Sequence, residues 1–155
     1  MLRREQLLQE VVHDTYKPKG KLSEPTRCPD CGAVFHRGRW SWGEAEPGAH
    51  KARCPACQRI HEHLPAGFVN LRGEFFKAHR DEILQRVRHC EQSEKADHPL
   101  ERIIDIEAKD GGTLITTTGT HLARRLGEAV HDAYKGELEF HYNREENLLR
   151  VHWLR

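Results

Sequence analysis

Long apolar runs are missing from this chain. No stretch approaches the roughly 18 to 20 apolar residues that a membrane helix needs, and the opening Met1-Leu-Arg-Arg-Glu-Gln lacks the apolar core of a secretion signal. The expectation is a cytoplasmic protein. Apolar residues are scarce overall, at 37% of 155 against 32% charged. A single large core is therefore not expected, and part of the chain needs another staple. Full disorder is excluded by eleven aromatic residues and several patterned apolar segments. Also absent are a Gly-rich nucleotide loop, a Ser/His/Asp spacing and any pair of carboxylates that the sequence places together. No small-molecule substrate is indicated, and the chain reads as non-enzymatic.

Five cysteines are present, and their placement is the strongest signal. Cys28-Pro-Asp-Cys31-Gly and Cys54-Pro-Ala-Cys57-Gln form two Cys-x-x-Cys pairs 22 residues apart, with Cys90 far downstream. Paired thiolates at this spacing close a tetrahedron around one soft ion, with zinc as the default at about 2.3 Å per bond. A reduced compartment disfavours two disulfides as the alternative. The expectation is one Zn²⁺ per chain on Cys28, Cys31, Cys54 and Cys57. Four thiolates also accept iron, which would make an electron carrier like the rubredoxins. The basic Arg37, Arg39, Lys51 and Arg53 between and beside the pairs argue against that. His36, His50, His61 and His63 lie close in sequence, but four cysteines require no fifth ligand, and a metallohydrolase reading lacks a third ligand for an open site. Cys90 reads as a small packed side chain.

The net charge of +1 conceals a split. Residues 17–61 carry nine Lys/Arg and four acids, net +5, while residues 62–155 are net −3. The basic part points to an anionic partner. Within it, His36-Arg-Gly-Arg-Trp-Ser-Trp-Gly43 joins guanidinium groups to two indoles at i and i+2. Such a segment can grip phosphate and stack on an unpaired base. Alternation sends Trp40 and Trp42 to opposite faces, one for a small core and one for binding. Arg37, Arg39, Trp40, Lys51 and Arg53 are the candidate contacts. A second candidate is the helix start after Thr116-Thr-Thr-Gly-Thr-His121, where free amides, His121, Arg124 and Arg125 could meet phosphate.

The expected architecture is α+β. Residues 1–26 form an arm with an amphipathic stretch and a basic linker, 27–66 a four-cysteine zinc ribbon, 67–98 a linking helix, and 99–155 a small domain. The helix carries Phe76, His79, Ile83, Val87 and Cys90 at spacings of three and four, and ends before Pro99. The last part reads strand, strand, helix, strand, strand. Lys109-Asp-Gly-Gly112 is its first turn and Thr120 to Tyr134 its helix, with Gly136 as the stop. One helix on a mainly antiparallel ββαββ sheet follows.

Arg27-Cys-Pro-Asp-Cys-Gly32, Ala52-Arg-Cys-Pro-Ala-Cys-Gln-Arg59, Leu122-Ala-Arg-Arg-Leu126, Gly136-Glu-Leu138 and Leu149-Arg-Val-His-Trp-Leu-Arg155 together carry a resemblance. The chain resembles a group of uncharacterised bacterial two-Cys-x-x-Cys zinc-ribbon proteins. More distantly, it is similar to the N-terminal half of the archaeal and eukaryotic large-ribosomal-subunit export adaptor family. That family has further Cys-x-x-Cys motifs, where this chain has one set of four. The resemblance implies attachment to ribosomal RNA or a ribosomal subunit through the basic zinc part. The alternative reading is a protein–protein adaptor that docks through the ribbon and the helix over 73–97, by Phe75 or Ile83.

Overall fold

The computed structural model describes residues 22–45 and 47–155. The expected arm and most of the basic linker, including Lys17, Lys19 and Lys21, lie outside the described residues.

The first unit is a small four-stranded sheet followed by one helix. Strands β1 (Thr26–Arg27), β2 (Val34–His36), β3 (Arg39–Ser41) and β4 (His50–Lys51) lie in the order β3-β2-β1-β4, with β1 and β4 parallel. Helix α1 (Pro55–Glu62) follows directly. The sequence reading gave two knuckles and no helix here. The second pair instead sits on the first turn of α1, because Cys54-Pro55 supplies an N-cap and a proline at the first helical position.

The second unit is a five-stranded sheet, and it begins earlier than the sequence reading places it. Residues Gly67–Arg72 form strand β5, not the start of a linking helix. The sheet order is β6-β7-β5-β9-β8, from β6 (Ile103–Lys109), β7 (Gly112–Thr117), β8 (Glu137–Asn143) and β9 (Leu148–Leu154). The two expected hairpins therefore do not pair with each other. β5 lies between them, antiparallel to β7 and parallel to β9. The strand shows period-two burial, with Val69 and Leu71 in the core. Gly67, which resembles a turn residue after Pro65, is needed for close approach. A Cβ there would lie 2.2 Å from Thr117 Oγ1 and 2.5 Å from Ala123 Cβ.

The expected long helix is split into α2 (Glu74–Ala78) and α3 (Arg80–Asp97) at His79. The Phe76 amide donates to the Arg155 carbonyl, and the buried Phe76 ring packs edge-on against Trp153. α2 is thereby held to the end of β9, while α3 turns away to pack on α4 (Thr120–Tyr134). Ile83, Val87 and Cys90 from α3 join Leu122, Leu126 and Val130 from α4 and Val69, Leu71, Ile115, Val151 and Trp153 from the sheet in one core. The apolar stripe of α3 is used up there, so Ile83, fully buried, is no docking residue.

The ββαββ elements follow the sequence reading closely, and the class is α+β with a four-cysteine site. Asp110 and Gly111 both have positive φ, as a two-residue hairpin turn requires. No described helix is long and apolar enough to cross a membrane.

Candidate metal centre

The Arg27-Cys28 end of β1 leads into a tight turn. The Gly32 amide donates to the Cys28 carbonyl at 2.9 Å and the Cys28 amide to Ala33 at 2.8 Å, with Gly32 at φ 84° closing the loop. This places Cys28 and Cys31 opposite α1. On the other side, Cys54 is the N-cap of α1, its sulfur accepting the Cys57 amide at 3.3 Å. The Cys-Pro-Ala-Cys sequence is thus the first turn of a helix, and the helix N-terminus favours thiolate there.

The four sulfurs all lie within 4.8 Å of one another, and Cys31 Sγ is 3.8 Å from Cys54 Sγ. A tetrahedron with 2.3 Å metal–sulfur bonds has edges of about 3.8 Å, so the donors present fit one zinc-sized ion. Further amides face the sulfurs: Cys54 N–H to Cys28 at 3.3 Å and Ala33 N–H to Cys31 at 3.4 Å. Donors aimed at sulfur disperse the charge of thiolates. Cys28 and Cys54 are fully buried, Cys57 is buried and Cys31 half-buried. As free thiols, Cys28, Cys54 and Cys57 titrate unevenly. Burial would raise Cys28, but amide donors from Cys54, Cys31 and Asp30 bring it down to about 7. Burial pushes Cys57 up to about 11 and Cys54 up further. An ion that takes four thiolates therefore displaces protons as it binds. The cluster contains no histidine.

One residue of the site carries no spacing signal. Arg102, just before β6, is 6% exposed, and its guanidinium reaches 3.2 Å to Cys57 Sγ, 3.0 Å to Cys31 Sγ and 3.6 Å to Cys54 Sγ. Its Nε donates to the Pro99 carbonyl at 2.8 Å and its amide to Thr118 Oγ1 at 2.9 Å. Burial opposes its charge, but the sulfurs outweigh that and hold its pKa above the usual arginine range. Four thiolates around a divalent ion carry a formal −2, of which this buried cation offsets one. Arg102 also joins the two units, since it belongs to the second and bonds into the first.

The indoles resolve as follows. Trp40 is buried against Phe35, in the cluster with Cys28, Cys54 and Cys57, so its expected contact role is corrected. Trp42 is the exposed indole at 38%, but its Nε1 donates to the Lys95 carbonyl at 2.7 Å and its ring lies 5.5 Å from the Arg102 guanidinium.

Among the basic candidates, Arg37, Arg39 and Lys51 are exposed, whereas Arg53 is paired with Asp30 at 2.6 Å. Register fixes the rest. Arg27 faces Val34 and Lys51, Val34 faces Ser41, and His36 faces Arg39. Cross-strand partners share a face, so Arg27, His36, Arg39 and Lys51 surround the buried Val34 on one side of the sheet. Thr26, Phe35 and Trp40 point to the other, cysteine side.

The start of α4 does not present an open phosphate site. Glu101 Oε1 accepts the Leu122 amide at 3.3 Å, occupying the place an anion would take. His121 is 3.0 Å and Arg125 3.1 Å from the two oxygens of Glu94, and Arg124 lies 4.5 Å from the centre of the Phe140 ring. Burial opposes ionisation of Glu94, but these two partners hold its pKa below the usual range.

Comparisons with protein-family models, curated proteins and solved structures find no match to this chain.

Proposed function

We propose that this chain is a non-catalytic cytoplasmic zinc protein that attaches to RNA, with ribosomal RNA or a ribosomal subunit as its partner. The carrying observation is the register that gathers Arg27, His36, Arg39 and Lys51 on one exposed sheet face, with Arg37 at the adjoining turn. Arg27, Arg39 and Lys51 on one face can together meet the phosphates of a nucleic-acid backbone. Zinc at the four cysteines would hold that sheet rigid, since two- and three-residue strands cannot hold it alone. The likeness to bacterial zinc-ribbon proteins and to the ribosomal export adaptors belongs to this same proposal. For the adaptor reading, Ile83 is in the core, and on this helical segment Phe75 remains as a half-buried candidate contact.

The test is sedimentation of the tagged protein from a native lysate through sucrose gradients, with and without ribonuclease, at low and moderate salt. Co-migration with a ribosomal subunit that ribonuclease or salt abolishes is the expected result. A position at the top of the gradient under every condition sinks the ribosomal reading. Arg39→Ala and Lys51→Ala should each reduce the slope of log affinity against log salt by about one, as measured on a labelled RNA.

A further inference from the structure

Away from the cysteines, the end of α3 and the start of α4 bring together a second set of ligating side chains. Glu94 is in the last turn of α3, His98 caps that helix, and His121 is in the first turn of α4. Their ligand atoms all lie within 4.8 Å of one another. His121 Nε2 is 3.0 Å from Glu94 Oε2, and the His98 and His121 rings meet edge to face with centroids 5.4 Å apart. Nitrogen and oxygen donors held at about 2.0 to 2.2 Å in a tetrahedron stand roughly 3.3 to 3.6 Å apart. The Glu94–His121 pair already stands near that spacing, and the other pairs lie within 4.8 Å.

The scaffold beneath is rigid. Cys90 and Val87 of α3 and Leu122 and Leu126 of α4 are in the same buried core, and the His98 amide bonds the Glu94 carbonyl at 2.8 Å. Arg125 holds Glu94 Oε1 at 3.1 Å, which orients the carboxylate and leaves Oε2 toward the imidazoles. Metal-binding carboxylates are commonly steadied in this way by an outer hydrogen bond. The guanidinium also repels a cation. Against that repulsion stands the carboxylate of Glu94 itself.

We propose that Glu94, His98 and His121 form a second metal site, for a divalent transition ion of the zinc type, with a fourth position open to water. Two imidazoles and one carboxylate are a donor set that such ions accept with a coordination position to spare. Without the ion, the same groups form the Glu94–His121 pair that pins α3 to α4.

The experiment is equilibrium dialysis of the full chain against Zn²⁺, with metal counted by mass spectrometry, for the wild type, His98→Ala and His98→Ala/His121→Ala. Two equivalents are expected in the wild type and one in the double variant. His98→Ala alone should weaken the second equivalent by about tenfold or more, with melting in one equivalent of zinc unchanged. Substituting Co²⁺ separates the sites. Intense thiolate-to-cobalt absorption should persist in the variants, while the weak visible bands of nitrogen and oxygen coordination disappear. A wild type that takes up metal at the cysteines alone, or a double variant that keeps two equivalents, overturns the proposal.

Discussion

Arg102→Met tests whether the buried guanidinium belongs to the metal centre. Methionine keeps much of the length and apolar volume but removes the charge and the planar fork that reaches Cys31, Cys57 and Cys54. Two close charge-assisted bonds at about 1.5 to 3 kcal/mol each, or a buried pair broken from one side at about 3 to 5 kcal/mol, bound the loss in the metal-loaded protein. The metal-free protein loses less, because there burial keeps the Cys54 and Cys57 thiols largely protonated beside the same guanidinium. The difference is what a zinc titration reads. A 10- to 100-fold weaker zinc affinity, about 1.4 to 2.7 kcal/mol, is expected, in line with other outer-shell partners.

The assay is competition for zinc against a chromophoric chelator, beside thermal melts of the loaded protein. At about 2 to 4 °C per kcal/mol for a chain of this size, the loss in the loaded protein should lower the melt by roughly 6 to 24 °C. Arg102→Lys keeps the charge as a point and should lie between wild type and Met. Trp42 fluorescence should shift in the Met variant, since its indole stacks near the guanidinium. If Arg102→Met binds zinc within about threefold of wild type and melts with it, the reasoning from buried charge is refuted.

Metal removal should separate the two units: after chelation, amides of Val34 to Ser41 lose exchange protection while Val69, Leu71 and Val151 in the other core keep theirs, and equal loss in both would contradict separate cores. Gly127→Ala should destabilise although alanine favours helices by about 1 kcal/mol, because the new Cβ would lie 2.5 Å from Val151 Cγ1 and 3.1 Å from Leu138 Cδ1, an overpacking cost of about 1 to 3 kcal/mol. A urea midpoint higher than wild type would show that the sheet yields there. His152 lies on the sheet face away from α4, where burial first and then His141, Arg72 and Arg150 depress its pKa. The folded state then binds fewer protons than the unfolded one, so stability is full above the unfolded histidine pKa of about 6.5 and falls as pH drops below it toward the lower folded value. His152→Gln should flatten that part of the urea-midpoint profile between pH 7.5 and 5, and an unchanged slope would assign it to other groups.

What the sequence makes legible here is chemistry written as short spacing. The Cys-x-x-Cys pairs report the site because each pair must span one edge of a small tetrahedron, and Cys-Pro-Ala-Cys does so as a helix turn. Asp110-Gly111 and the Thr120–Tyr134 periodicity are legible for the same local reason. Strand β5 is not, because its partners lie about 45 to 80 residues away, and the proline and glycine at its start resemble a turn until Thr117 and Ala123 are seen to crowd Gly67. Alternation puts Trp40 and Trp42 on opposite faces, but the core behind the cysteines decides which is buried. The helix-start anion site fails on the same ground: the amides are there, and a carboxylate from another segment, Glu101, reaches one of them first. Arg102 is the sharpest case. A lone arginine opening an apolar strand obeys no motif, and its meaning lies in sulfurs 45 to 71 positions earlier. A bare four-thiolate centre would need only its own loop and helix. This one borrows a cation from the neighbouring sheet, so binding of the ion and docking of the two units are one equilibrium, and weakening either must weaken the other.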